Sequence, residues 1–256
     1  MARRWTIVWA RVGIILLMAA VWELVGVRKW VDPDLLPPLS KVVRVMWDLL
    51  HDPQFLNDLK ITSLECLVAF AIVTPLGLGV GFIVGESQLI ERAFGPALQL
   101  LMAVPKSIFL PVFVLMFGIG FSQKVIFAVV LTFFIVVPTG TAAVHTVPRG
   151  LVTAAKAFGA TRAQIFMRIY LPAVTPIVLS GVRLGLIFSV HGVIFAEMYG
   201  STAGVGRNIL IWGEQFQMDL LLAAVMFVLI LTVFVNELMQ LCETYSRARL
   251  QIDEKS

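Results

Sequence analysis

Ionisable residues inside long apolar stretches are costly and usually serve a function. Three of those in this sequence are candidates for such a function: Lys106, His191 and Glu197. Lys106 directly follows Pro105, and a helix broken at this proline would expose backbone groups to a water-filled cavity. We expect Lys106 to present its positive charge to an anionic solute there, and His191 and Glu197 to line the pathway of that solute.

Each of these residues also has a purely structural interpretation. Lys106 would then reach the membrane interface or pair with Glu65 of the neighbouring apolar segment. His191 would bond a backbone carbonyl between packed helices, and Glu197 would hold the loop 200–208 that follows it. The sequence alone leaves both interpretations open for all three.

The sequence does not favour an enzyme. It contains neither a Gly-x-x-x-x-Gly-Lys-Ser/Thr phosphate loop nor a His-Glu-x-x-His zinc pattern. Its three histidines, His51, His145 and His191, are too widely spaced to predict a metal site. Cys66 and Cys242 are expected to be separate buried thiols. We therefore expect no catalytic residue, no metal site and no cofactor bound to this chain.

The composition is that of a membrane protein. Hydrophobic residues make up 59% of the 256 residues and charged residues only 14%, whereas soluble domains carry about 25% charged residues. The net charge of +4 fits basic loops beside a membrane. It does not indicate nucleic-acid binding, because the sequence has no Lys/Arg-rich run.

Six segments are apolar enough to cross a bilayer as helices, which takes about 20 residues each. They cover 6–27, 57–85, 93–120, 124–146, 173–199 and 219–242. The first is interpreted as a retained span, because Trp22 and Glu23 stand where a signal peptide would have small residues. Three glycines, Gly181, Gly185 and Gly192, make the fifth segment thin, which favours close packing at a subunit interface.

The predicted fold is therefore all-α, a polytopic membrane protein with a single transmembrane domain over 1–256. Apolar residues at helical spacing predict an amphipathic helix over 40–51, lying on the bilayer or on neighbouring helices. Residues 1–55 would form a peripheral first span with this helix, and 56–256 would form the core.

Basic residues between the spans predict the orientation. Both ends share one side, which holds Arg3, Arg4, Arg92, Arg149, Lys156, Arg162, Arg168, Arg247, Arg249 and Lys255. The other side holds Arg28, Lys29, Lys41, Arg44, Lys124 and Arg207. The excess of positive charge predicts that both ends and residues 149–172 are cytoplasmic.

Residues 153–172 predict a helix, a tight turn and a second helix outside the hydrocarbon. The first half is Ala-rich and ends at Gly159, which tolerates the positive φ of a sharp reversal. Thr161 and Gln164 form a capping-box pattern at the start of the second helix. Pro172 is expected to stop that helix or to admit a new segment.

The same residues resemble the cytoplasmic loop of permease subunits of bacterial ABC importers. That loop has the pattern Glu-Ala-Ala, three residues, Gly, nine residues, Ile-x-Leu-Pro, and the matching residues are Ala154, Ala155, Gly159, Ile169, Leu171 and Pro172. Thr153 stands at the Glu position and cannot form the ion pair expected of a carboxylate. Stretches at 36–40, 104–120 and 196–206 resemble the nitrate/sulfonate/taurine group of these permeases.

The resemblance implies the type I importer permease fold and a set of partners. A second permease subunit would complete the pathway, two cytoplasmic ATPases would bind ATP and Mg, and a periplasmic binding protein would deliver the solute. Residues 149–172, the coupling segment, would bind the ATPase. The coupling residues implied are Thr153, Ala154, Ala155, Lys156, Gly159, Ala160, Arg162, Ile169, Leu171 and Pro172.

The implied function is import of a small anionic solute across the bacterial inner membrane by a permease subunit that is not itself an enzyme. Sulfonate, nitrate, bicarbonate, taurine and carboxylated aromatics are the solutes expected. A six-span secondary carrier or channel that acts without an ATPase is the alternative.

Overall fold

The computed structural model describes the backbone of residues 2–253 and, within that range, all side chains except those of 2–8, 11, 149, 242 and 245–253. The helices are α1 (Ala2–Val27), α2 (Leu39–Leu49), α3 (Pro53–Glu86), α4 (Gln88–Ala103), α5 (Leu110–Phe117), α6 (Phe121–His145), α7 (Arg149–Ala157), α8 (Arg162–Ile165), α9 (Leu171–Gly200), α10 (Val205–Glu214) and α11 (Met218–Asp253). A 3-10 turn over Lys106–Phe109 precedes α5, and a π-helical turn over Phe166–Tyr170 joins α8 to α9. The predicted all-α fold is confirmed. The predictions for the Cys242 thiol and for the basic side chains of the two ends concern residues outside the described set.

Every segment predicted to span the membrane is mostly helical in its described residues. Within the described residues, four helices are long and apolar enough to cross a bilayer by themselves: α3, α6, the continuous helix Arg162–Gly200, and Met218–Leu241 of α11. A fifth crossing exists if α4 and the bent helix after it count as one span. The first predicted span corresponds to α1, whose described apolar part is the shorter helix Val12–Val27.

The core consists of α3, α6 and α9, which pack on one another more extensively than the other described helices do. Glycines bring their backbones together. A Cβ atom added at Gly140 would lie 2.6 Å from the Leu78 carbonyl oxygen, and one added at Gly192 would lie 2.7 Å from the Cα of Ala128. The expectation that the α9 glycines serve a subunit interface is therefore wrong, because they pack against α3 and α6 of the same chain.

The third predicted span is broken, as its prolines predict. α4 ends at Ala103, and the helix that resumes over Lys106–Phe117 is bent from it by 77°. Val104 has an extended backbone with ψ of 127°. This is the conformation that a following proline favours, because the ring of Pro105 disfavours a helical residue before it.

The N-terminal helix is attached through α2. Trp22 Nε1 donates a 3.0 Å hydrogen bond to the Pro37 carbonyl oxygen, and Glu23 accepts hydrogen bonds from the backbone and hydroxyl of Ser40. α2 is the predicted amphipathic helix, and it buries Val42 and Leu49 in a cluster with α10 and α11. Most described apolar side chains of α1 remain exposed in the chain by itself.

Candidate functional site

The first half of the coupling segment ends in the predicted reversal. α7 is followed by Phe158 and then by Gly159, whose φ is +79°. The backbone N–H of Ala160 donates a 3.0 Å hydrogen bond to the carbonyl of Ala155, which closes the turn. A side chain at Gly159 would meet no atom within 4 Å, so the glycine is needed for its backbone conformation and not for space.

The second half begins with the predicted capping box. Thr161 Oγ1 accepts a 3.3 Å hydrogen bond from the backbone N–H of Gln164, and Gln164 Oε1 accepts a 2.8 Å hydrogen bond from the backbone N–H of Thr161. These two bonds satisfy N–H groups that the first helical turn leaves without partners.

The second helix does not end at Pro172. It continues through the proline, so that Arg162–Gly200 is one helix of 39 residues. The π-helical turn Phe166–Tyr170 lies directly before Leu171 and Pro172. A π turn widens the helix locally and changes its hydrogen-bond register, and it therefore accommodates a residue that lacks an N–H group.

A shallow cleft lies between the two halves of the coupling segment. Its volume is about 360 Å³, and it is lined by Ala155, Phe158, Gly159, Ala160, Gln164, Ile165, Arg168 and Ile169. Phe158 stands at this cleft with 90% of its surface exposed. Lys156 and Arg162 are exposed on the same segment. The surface therefore combines the exposed phenyl ring of Phe158, a groove and two positive charges. This combination suits a docking surface for a partner with acidic groups.

The predicted pathway residues Lys106 and His191 line a second cleft, here called the Lys106 cleft. It has a volume of about 310 Å³ and is lined by Met102, Lys106, Ser107, Leu131, Ile135, Phe188, His191 and Phe195. The break after α4, the middle of α6 and the C-terminal half of α9 all contribute to this lining. The cleft is thus mostly apolar and contains one lysine and one histidine.

Lys106 caps the end of the broken helix and also lines the cleft. Its Nζ donates hydrogen bonds to the carbonyl oxygens of Met102 (3.3 Å) and Val104 (3.4 Å). It lies 5.2 Å from the centre of the Phe134 ring, within the range of a cation–π interaction. A cation at the end of α4 is favoured by the helix dipole.

His191 matches both interpretations of its role. Its Nδ1 lies 3.1 Å from the carbonyl oxygen of Ile187, one turn earlier in α9. The ring lies beside that of Phe188, with the ring centres 5.9 Å apart and the planes tilted by 36°. The side chain nevertheless remains exposed, so its second nitrogen is available to the Lys106 cleft.

Glu197 lies in a buried polar network and not in the Lys106 cleft. It has no exposed surface. Its Oε1 accepts a 2.7 Å hydrogen bond from Thr62 Oγ1, and its Oε2 accepts a 2.8 Å hydrogen bond from the backbone N–H of Gly206. Lys124 of α6 forms an ion pair with Glu65 of α3 and lies 3.9 Å from Glu197. In this conformation Glu197 therefore holds the loop that follows α9.

This network bears on two residues of the sequence analysis. Lys124, counted there among the basic residues of the extracytoplasmic side, is buried, with only 3% of its surface exposed. Glu65 is not the partner of Lys106, because it pairs with Lys124. A buried carboxylate is costly without a compensating charge, and the first turn of α6 places a cation beside α3 and α9.

Residues 203–206, at the start of α10, are held by four buried side chains. These side chains, here called the anchor network, are those of Asp58, Thr62, Lys124 and Glu197. The bonds run from Lys124 Nζ to Ala203 O (3.3 Å), from Gly204 N to Asp58 Oδ1 (2.9 Å), from Val205 N to Thr62 Oγ1 (3.0 Å) and from Gly206 N to Glu197 Oε2 (2.8 Å). Two carboxylates thus face the positive end of the α10 dipole.

Comparison with known proteins decides what kind of chain this is. Residues 74–247 match the family described as the binding-protein-dependent transport system inner membrane component. The chain belongs to this family. It is accordingly a permease, the multi-pass membrane subunit of an ABC importer.

Relatives of known name resemble the permease over most of its length. It is 27% identical to the taurine transport system permease protein of Escherichia coli K12, over 86% of this chain and 82% of that one. It is 28% identical to the putative aliphatic sulfonates transport permease protein of the same organism, over 91% of this chain and 87% of that one.

Solved structures show the same fold at lower sequence identity. A bacterial ABC transporter involved in the import of the acidic polysaccharide alginate has a chain that matches with a TM-score of 0.60 and 15% identity, over 95% of the permease and 99% of that chain. An inward-facing methionine ABC transporter matches with a TM-score of 0.56 and 20% identity, over 83% and 97% respectively. The permease therefore has the type I importer fold.

Sequence reasoning missed two features of the permease sites. Phe158 lies between the matched Ala155 and Gly159 and is the most exposed ring of the coupling segment, but an apolar residue beside apolar neighbours gave no signal. The second is Glu243, which lies beside the N-terminal half of α9. Ser180 Oγ donates a 3.0 Å hydrogen bond to it, and Arg183 Nε lies 3.9 Å away. This contact ties the end of α11 to the half of α9 nearest the coupling segment.

Proposed function

We propose that this permease imports a small solute that carries an anionic group, with taurine and other sulfonates the first candidates, in a complex powered by separate ATPase subunits. The observation that carries the proposal is the Lys106 cleft. It places a cationic amine at a helix break, in an apolar lining, beside a histidine. A sulfonate carries a fixed negative charge and a small organic part, and both would be accommodated there.

The cleft is formed by the parts of the chain that a transport cycle would move. Lys106 stands at the break between α4 and α5, and His191 stands on α9, which continues from the coupling segment. Discontinuous helices that line a cavity are typical of solute sites in membranes. Movement of α9 relative to the break would therefore change the distance between Lys106 and His191 and release the anion.

The coupling segment is the proposed docking site for an ATPase that binds ATP and Mg. Its proposed contact residues are Thr153, Ala154, Ala155, Lys156, Gly159, Ala160, Arg162, Ile169, Leu171 and Pro172. Phe158 adds to these an exposed ring of the type that anchors protein interfaces. With this segment on the cytoplasmic side, both ends of the chain are cytoplasmic as well, and a binding protein approaches the opposite face.

The proposed assembly contains two permease subunits, two ATPases and one binding protein. The family match to binding-protein-dependent systems supports this assembly over the secondary-carrier alternative. Lipid and a second permease subunit would cover the exposed apolar side chains of α5, such as Leu115 and Met116. Residues 1–55 would form the periphery of the permease, and 56–256 the core.

The test uses the complex of permease, ATPase and binding protein in proteoliposomes. Uptake of radiolabelled taurine should require ATP. Lys106→Gln should reduce taurine uptake by at least tenfold, whereas Lys106→Arg should retain most of it, because it keeps the charge. Lys60→Gln, at an exposed position of α3, controls for loss of a lysine elsewhere.

Two results would contradict the proposal. If taurine uptake proceeds without ATP on an ion gradient, the chain is not powered by an ATPase. If Lys106→Gln transports taurine as well as Lys60→Gln does, the cleft does not recognise the anion.

A further inference from the structure

We propose that the anchor network fastens α10 to the far ends of α3, α6 and α9, so that α10 moves with these helices as one body when the coupling segment moves. This inference rests on the proposed function for the direction of movement. Asp58, Thr62, Lys124 and Glu197 are positioning residues in this view, because they act through α10 and do not touch the solute.

The first support is the continuity of α9. The coupling segment lies at its N-terminal end, and α10 follows its C-terminal end after a short loop. A helix of 30 residues is about 45 Å long, so α9 is long enough to reach from one membrane face to the other. A helix transmits movement along its axis only as far as its last turn. The loop 201–204 would therefore let α10 move independently of α9 unless other contacts joined the two helices.

The second support is that the bridging contacts are made by side chains of three helices. Asp58 and Thr62 come from α3, Lys124 from α6 and Glu197 from the last turn but one of α9. They bind the residues from Ala203 to Gly206 without a gap. A second contact of Asp58, which accepts a 2.8 Å hydrogen bond from Asn208 Nδ2, extends the attachment to the next turn of α10.

The third support is the absence of space for adjustment around Glu197. A Cβ atom added at Gly204 would contact the Glu197 carboxylate, and the φ of Gly204 is +117°. A Cβ atom added at Gly206 would lie 2.5 Å from the Ile194 carbonyl oxygen and 2.7 Å from Glu197 Cβ. The α10 backbone therefore rests directly on α9, and buried hydrogen bonds of this kind hold one geometry, because an unpaired group would be costly.

Thr62 offers the most selective test, because the chain contains a matched control. Thr62→Val keeps the shape of the side chain and removes the hydroxyl that bonds Glu197 and Val205. Thr132→Val makes the same change at a buried threonine of α6 whose hydroxyl has no hydrogen-bond partner among the described residues. Asn208→Ala removes a single bond to Asp58 at a half-buried position, and serves if Thr62→Val does not fold.

The experiment measures the distance between spin labels at Gln54→Cys in α3 and Glu214→Cys in α10, both exposed. The background is Cys242→Ser, which leaves the buried Cys66 as the remaining native thiol. The permease–ATPase complex is examined without nucleotide and with ATP plus vanadate. The labelled permease is diluted with an excess of permease without the two added cysteines, so that distances between subunits do not contribute. We expect one narrow peak at the same distance in both states, for the parent chain and for Thr132→Val. Thr62→Val and Asn208→Ala should give a broad distribution of label distances in both states instead of the single peak. Thr62→Ser, which keeps the hydroxyl, should give the single peak again.

The outcomes separate the inference from the function on which it rests. If Thr62→Val and Asn208→Ala keep the narrow peak of Thr132→Val, the anchor network does not fasten α10. The inference is also wrong if the parent distance shifts with ATP plus vanadate. If no ATPase joins the complex, the proposed function fails, while the label distances of the nucleotide-free permease still test the attachment.

Discussion

Thr62 Oγ1 donates a 2.7 Å hydrogen bond to Glu197 Oε1, although the two residues are 135 positions apart in the chain. The same hydroxyl accepts a hydrogen bond from the backbone N–H of Val205. One side chain thus joins α3, α9 and α10. This part of the core is held by polar groups, whereas α3, α6 and α9 elsewhere approach through glycines and small residues.

Lys124→Met should destabilise the permease. The change keeps an unbranched side chain but leaves Glu65 and Glu197 buried without their cation, and breaking a buried ion pair costs about 3–5 kcal/mol. Thermal unfolding in detergent should show a clearly lower midpoint than Lys60→Met, a change at an exposed lysine of α3. Adding Glu65→Gln to Lys124→Met should recover part of the loss. Equal midpoints for the two single variants would show that the ion pair is not important for stability.

Gly140→Ala should destabilise the core. Its Cβ would lie 2.6 Å from the Leu78 carbonyl oxygen, so α3 and α6 would have to separate, and overpacking of this kind costs about 1–3 kcal/mol. Gly79→Ala is the matched control, because a Cβ there meets no atom within 4 Å. The control should be neutral or slightly stabilising in the same unfolding measurement. A Gly140→Ala variant as stable as the control would show that the packed helices adjust easily.

Gly159→Val should weaken ATPase binding without lowering the stability of the membrane core. A β-branched residue at a φ of +79° is disfavoured by more than about 1–2 kcal/mol, so the turn between α7 and α8 would open. Gly159→Asn should be tolerated, since asparagine adopts this conformation more readily. Co-purification of the ATPase with each variant measures the effect. If valine and asparagine behave alike, the conformation of the turn is not what the partner recognises.

Phe158→Ser should also reduce ATPase co-purification, for a different reason. The ring is 90% exposed in the permease, so its removal should leave thermal unfolding of the isolated permease unchanged. Leu89→Ser, at a leucine of α4 that is 80% exposed, is the control for loss of an exposed apolar side chain. A permease that binds its ATPase equally well with Phe158→Ser would exclude the ring from the interface.

Local chemistry was predictable from sequence wherever neighbouring residues determine it. The helix break at Pro105, the capping box at Thr161 and Gln164, and the reversal at Gly159 all follow from the conformations these residues allow. Lys106 and His191 were each predicted to line the pathway, but not to lie near each other. Only the fold shows that they line one cleft.

The buried network was not predictable because it depends on contacts between distant helices. Lys124 stands at the start of an apolar segment, where a lysine ordinarily reaches the membrane interface. Its burial follows from Glu65 and Glu197, which lie one on each neighbouring core helix. The prediction that the helix stops at Pro172 was wrong for a similar reason. The adjacent π turn accommodates the proline, and no sequence pattern predicts such a turn.

That π turn sets the angular position of the coupling segment. A π turn corresponds to one residue more than a regular α-helix would hold in the same place, and each residue of an α-helix turns the chain by about 100° and advances it by about 1.5 Å. Deleting one residue from Phe166–Tyr170 would therefore swing the Phe158 face about a quarter of a circle around the α9 axis. The membrane helices could remain intact while the docking surface for a partner took a different orientation. Chain length at this turn, as well as residue identity, therefore determines how the coupling segment is oriented toward the proposed ATPase.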